Sequence, residues 1–176
     1  APGEFRATAG SGRAYERLTR ASGARPDNVT GGTPSATAPP PAQPAQDGAG
    51  FEFVESATLT RLQGEWTAVR IVRDGQELPV SMLAAGRRSA AKNEVKVVFG
   101  GQLMIHALVR IDESANPIHV DYYNLCGAKG TVQQGIMQWL GADVCFNMSP
   151  PGQPRPDDFR CPAGSGRTLS QWRPKR

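Results

Sequence analysis

A chain of 176 residues with a formal net charge of +4 and an apolar share of 39% has room for one domain, or for a domain and an appendage. Its 15 prolines and 20 glycines, with a mean hydropathy of -0.42, leave it poorer in core formers than a typical globular domain. Apart from Arg87-Arg88 and Arg173-Pro174-Lys175-Arg176 the basic residues are scattered, which argues against nucleic acid as a partner because that needs a dense basic face with aromatic platforms. No apolar run approaches the roughly 18–20 residues that span a bilayer.

Residues 1–50 read as an arm. Outside Phe5, Tyr15 and Leu18 the segment carries almost no large apolar side chains, and its second half is rich in Pro, Ala, Gly and Thr. Such a composition favours extended conformations and cannot offset its ordering entropy by burial within itself. One helical turn around Ala14–Arg20 fits the three-residue spacing of Tyr15 and Leu18. Two readings follow: a tether, or an arm that wraps a partner through Phe5, Tyr15 and Leu18. The chain begins at Ala1 without a Met. Signal-peptide removal leaves such an end, so the expectation is an exported, periplasmic or extracellular protein; Met removal or a cut from a longer precursor is the other reading.

The folded part, residues 51–176, starts with a capping signal. Ser56 or Thr58 caps a short helix that puts Leu59 and Leu62 on one face. Gln63–Arg73 then reads as a strand with Trp66 and alternate positions after it on a half-buried face, ended by the Asp74-Gly75 turn. Leu78–Ser89 is ambiguous and fits a short helix across the end of a sheet. Further strands are expected over Glu94–Phe99, Gln102–Ile111, Pro117–Tyr123, Thr131–Leu140, Val144–Met148 and Thr168–Arg173, with Gly100-Gly101 as one tight turn. Seven strands joined mostly by short connections make an all-β antiparallel meander, either a barrel or a strongly curled sheet.

The chain from about Leu62 to Arg173 resembles an uncharacterised bacterial family of lipocalin-like domains, known best from planctomycetes. Leu62-Gln63-Gly64-Glu65-Trp66 is similar to its opening L-Q-G-x-W, and Asp74-Gly75 with Leu78-Pro79 to its D-G-x-x-L-P. Pro117–Asp121 resembles its P-x-x-I-D step, and Gly130 with Gly135-Ile136 its G-x-x-x-x-G-I pattern. The most specific match is Pro150–Phe159, similar to its P-P-G-x-x-R-P-x-x-F loop. The resemblance implies a small up-and-down β-barrel and no particular activity. The sequence departs from it at Gln133, Gln134 and Met137 and has one strand fewer than a closed eight-stranded barrel.

Candidate ligand-binding residues are Trp66, His106, Tyr122, Gln134, Trp139, Arg155 and Trp172. Each has a plainer reading. The three tryptophans line a pocket or fill a core; Gln134 and Gln138 face inward and hold a polar ligand, or face outward and are wetted; His106 is a base or ligand group, or a hydrogen-bonded core or edge residue. Arg155, between two prolines, either binds an anion or fixes its loop by pairing with a carboxylate or carbonyls. Cys145 and Cys161 flank the Pro-rich loop and are expected to bridge it, with Cys126–Cys161 as the other pairing; closing a loop of that size contributes about 3 kcal/mol in the chain-entropy model. No cysteine spacing fits a zinc site, no catalytic constellation is evident, and no cofactor is expected.

These readings lead to a non-enzymatic accessory subunit whose arm docks the barrel onto a larger assembly, such as a respiratory or photosynthetic membrane complex. The alternatives are a small-molecule carrier, which requires an open cavity of several hundred cubic ångströms, and, third, a hydrolase or isomerase using His106 or His119.

Overall fold

The structure is a computed structural model that describes residues 48–175. The arm residues Phe5, Tyr15 and Leu18 and the turn around Ala14–Arg20 lie outside the described residues. Nine elements of the expected kind and two more, β2 and β3, follow in order: α1 (Ala57–Leu62), β1 (Gly64–Arg73), β2 (Gln76–Glu77), α2 (Val80–Leu83), β3 (Gly86–Ala91), β4 (Glu94–Phe99), β5 (Gln102–Asp112), β6 (Ile118–Asn124), β7 (Val132–Leu140), β8 (Asp143–Met148) and β9 (Thr168–Pro174).

Each barrel strand pairs antiparallel with its neighbour in the chain, except that the two-residue β2 only folds back on the end of β1. β9 returns to pair with β1, so β1 and β3–β9 close an up-and-down barrel of eight strands. The expected count of seven is therefore one short. The missing strand is β3, in the stretch expected to hold a helix; Leu78–Ser89 contains both the four-residue α2 and most of β3.

Alternation along each strand sends one set of side chains inward, as closure demands. Trp66, Val95, Val97, Ala107, Val109, Val120, Tyr122, Met137, Val144, Phe146 and Trp172 make the buried interior. A bulge between Ala68 and Arg70 shifts the register of β1 against β9. An extra residue reverses the inside–outside parity, so Ile71 packs inside while Val72 joins a separate cluster outside the wall.

The N-terminal end of the barrel is closed. Ser56 caps α1 as its sequence position suggested: its hydroxyl accepts from the Leu59 amide at 3.2 Å, and Leu59 and Leu62 enter the core. Polar bonds tie α1 to all three hairpins at this end. The Gln63 amide donates to the Lys92 carbonyl at 2.8 Å and accepts from the Lys92 amide at 2.6 Å, in the β3–β4 turn. Glu113, after β5, accepts from the Thr58 amide at 2.6 Å. Arg61 lies 3.7 Å above the Trp139 ring and donates to the Gly141 carbonyl of the β7–β8 turn.

Candidate functional site: the open end of the barrel

The opposite end is formed by the β1–β2 turn, α2, the Gly100-Gly101 turn and the β6–β7 and β8–β9 loops, and it is open. A cavity of about 1080 Å³ enters the barrel here. Its walls are mainly apolar, with Ile71, Val97, Phe99, Ile105 and Trp172 among them. Neutral polar groups from Asn124, Gln133, Thr168 and Ser170 interrupt them, and the exposed Arg73 and Glu77, flanking the β1–β2 turn, also line it. An apolar concavity with sparse polar groups is the usual build of a small-molecule site. Around the mouth, Val80 and Met82 on α2 and Leu103 and Met104 on β5 are exposed large apolar side chains. Gly86 makes room for the wall: its backbone lies so close to Phe99 that an added Cβ would stand 2.7 Å from the ring.

The candidate ligand residues distribute unevenly about this cavity. Trp172 lines it, packed edge-on to Phe99 with ring centroids 6.4 Å apart. Trp66 and Trp139 instead plug the closed end, their centroids 6.3 Å apart, and the Trp66 indole N–H donates to the Leu62 carbonyl at 2.9 Å. A buried indole needs such a partner, and the helix end supplies it. Tyr122 faces inward and is buried in the core rather than in the cavity wall. Gln134 pairs across from Asp121 on the outer surface, so it does not reach the interior. Its neighbour Gln133 does, opposite Tyr122, and its amide donates to the Ser149 carbonyl at 3.3 Å. His106 also points outward, since Ala107 beside it is buried inside; its Nε2 contacts the Glu94 carboxylate at 2.6 Å.

Arg155 is a clamp on the outer wall. One guanidinium nitrogen donates to the Val120 carbonyl at 3.2 Å and to the Gly135 carbonyl, and the other to Asp121 at 2.7 Å. The second oxygen of Asp121 accepts from Arg110 at 2.9 Å. The two stretches that resembled family motifs, Pro117–Asp121 and Pro150–Phe159, thus meet through Asp121 and Arg155. The loop they anchor covers the outside of the barrel. Beneath it Ile136 is 1% exposed although it points outward, and Val72, Cys145 and Leu169 pack with Phe159 and Cys161. The side-chain amide of Asn147 holds the loop by donating to the carbonyls of Asp158 and Arg160 at 2.7 and 3.0 Å.

Cys145 and Cys161 meet in this cluster, but the expected bridge is not formed; both, and Cys126, are free thiols. The Cys161 thiol donates to the carbonyls of Arg167 and Val72, at 3.1 and 3.5 Å. Burial pushes the Cys145 thiol up to about 11, against the pull of nearby Arg70, which makes it a packing group and not a nucleophile near neutral pH.

Among the described residues no group of three or more His, Cys, Asp or Glu side chains is placed to hold a metal ion, and no helix is long and apolar enough to cross a membrane. No protein-family model, curated protein or solved structure matches the chain.

One residue of the interior carried no signal in the sequence beyond being half of a basic pair. Arg88, in the middle of β3, is 2% exposed and points into the barrel between Trp66 and Val97. Its Nη1 has no hydrogen-bond partner.

Proposed function

We propose that this protein is a lipocalin-like carrier that holds a small, largely apolar molecule in the barrel. The observation that carries this reading is the open cavity of about 1080 Å³ between apolar walls, ample for a small-molecule ligand. The exposed Met82 and Met104, which also line the cavity, support it, because exposed apolar side chains at a cavity mouth mark places where apolar matter enters or docks. The resemblance of residues 62–173 to a lipocalin-like family agrees with it. Docking of an accessory subunit through residues 1–50 rests on composition alone, whereas the cavity is a built site.

A neutral, environment-sensitive probe, N-phenyl-1-naphthylamine, tests the proposal without favouring any charge. Titrated into the full chain it should bind saturably, one molecule per chain, with a blue-shifted emission. Ser170→Phe, which fills the cavity from its wall, should abolish binding while leaving the far-UV circular dichroism of the barrel intact. Weak, unsaturable binding that Ser170→Phe does not change would overturn the carrier reading.

A further inference from the structure

Among the described residues Arg88 is the one charged side chain held deep among the barrel's inward-facing residues. The carboxylates of the barrel strands all lie elsewhere: Glu65, Glu94, Asp112, Asp121 and Asp143 flank inward residues and so face outward. No ion pair among the described residues includes Arg88. Its guanidinium carbon instead lies 4.8 Å from the centre of the Phe146 ring, on the opposite wall. Stacking of this kind engages the flat face of the group and leaves its N–H edge, a planar fork of donors, unused. A buried cation without an anion carries a large desolvation cost, and sequences retain one where something else supplies the counter-charge.

The cavity places that supply within reach. Val97, the register partner of Arg88 on β4, lines the cavity, and so does Ser170, the register partner of Phe146 on β9. Arg88 itself is not part of the cavity wall, so the guanidinium lies beneath the layer that Val97 and Ser170 form, on the side of the Trp66–Trp139 plug. Resting on the carrier reading, we infer that the ligand is an amphipathic carboxylate that enters head first. Its carboxylate is received by the edge of Arg88 and its apolar tail runs past Phe99 and Trp172 toward the rim. A planar carboxylate matches the guanidinium fork in a bidentate pair, and in this dry setting such bonds are strong. A head group that parts the layer of Val97 and Ser170 would also satisfy the orphaned Nη1, so Arg88 serves as the ligand's counter-ion and not as a fixed element of the fold.

The test compares dodecanoate with methyl dodecanoate, which has nearly the same tail and no charge, as displacers of N-phenyl-1-naphthylamine from the full chain at pH 7.5. Dodecanoate should bind about ten- to a hundredfold more tightly, the range that hydrogen bonds to a charged group supply. Arg88→Met should erase that advantage, so that acid and ester displace the probe equally, and should raise the melting temperature of the ligand-free protein. Arg88→Lys should keep part of the preference. Equal displacement by acid and ester from the wild-type protein overturns the head-group assignment and leaves the carrier standing; this arm decides even if Arg88→Met does not fold. Failure of the neutral probe and both displacers to bind overturns the carrier reading itself, and the assignment with it.

Discussion

At the α1 end of the barrel Thr58, Arg61 and Gln63 each bind a different hairpin, and two indoles fill the space behind the helix. At the α2 end the helix is four residues long, has no side-chain cap, and leaves Val80 and Met82 in solvent. One end spends its residues on closure and the other leaves the interior accessible. The contrast teaches that an eight-stranded barrel, having no sheet edges to protect, gains its stability from the wall and a single plug. The second end is then free to stay open. If that division of labour is right, equal-sized deletions at the two ends should have unequal consequences.

The largest effect is expected from Trp66→Ala. It empties the plug, strands the Leu62 carbonyl at the helix end and leaves Arg61 with Trp139 as its remaining lid; loss of a buried Trp of this kind costs about 3–5 kcal/mol. Thermal unfolding should shift down by on the order of 10 °C or more. Trp172→Ala removes the same side chain beside an existing void, so it should cost less stability but change the affinity for N-phenyl-1-naphthylamine. Equal melting temperatures for the two variants would break the comparison.

Next in size is Arg155→Met, which releases the outer loop without touching the cavity. Asp121 is 6% exposed and would keep only Arg110, while the Gly135 and Val120 carbonyls lose their donor. Hydrogen bonds to a charged group of this kind contribute about 1.5–3 kcal/mol. Limited proteolysis should cut between residues 150 and 167 faster than in the wild-type protein, and probe binding should survive. Loss of binding would show that Arg155, placed on the outer wall, acts on the interior after all.

Gly86→Ala probes the open end directly. The new methyl would lie 2.7 Å from Phe99 and 2.9 Å from the Ala68 methyl, and overpacking of this order costs about 1–3 kcal/mol. Phe99 borders free space, so the ring should swing into the cavity. The expected signature is a modest drop in melting temperature, toward the low end of that range, with a clear loss of probe affinity.

Much of this architecture was legible because regular patterns serve regular jobs. Ser56 with Leu59 and Leu62 announced α1, and period-two alternation located β1 and β4–β9 to within about a residue at most ends. Two things were not legible. Parity in β7 is ambiguous when Gln133 and Gln134 stand side by side, because either amide fits an outward face; only pairing with Tyr122 and Asp121 decides which one turns in. β3 was harder still. Its inward positions are Gly86, Arg88 and Ala90, so no apolar alternation marks it. Gly86 is small because Phe99 needs the room, and Arg88 is charged where a core residue would be apolar. The strand was missed for the reason that makes it informative: local rules break where a site imposes other demands. Arg155 shows the converse. Of its two readings, an anion site or a loop fixed through a carboxylate and carbonyls, the second holds, and only the fold decides between them, since residue type cannot say which side of a barrel wall a loop crosses.

The smallest effect tests whether the plug end is held by its polar ties as well as by its indoles. The Glu113 carboxyl sits at the start of α1, where the Thr58 hydroxyl, the Thr58 amide and the Ser56 hydroxyl hold it below its ordinary value of 4.5. A carboxyl with a lowered folded value contributes stability above its unfolded value and loses it as the pH falls through the folded one. Glu113→Gln should therefore cost about 0.3–1 kcal/mol at pH 7, the scale of an exposed carboxylate at a helix start. The gap between variant and wild type should close on acidification below about pH 4. Ser56→Ala removes both the cap on Leu59 and one donor to Glu113, so its cost, about 1 kcal/mol, should fall only partly over the same interval. Should Glu113→Gln show the same deficit at pH 3 as at pH 7, the carboxylate's charge would be irrelevant to closure. The α1 end would then be sealed by packing alone.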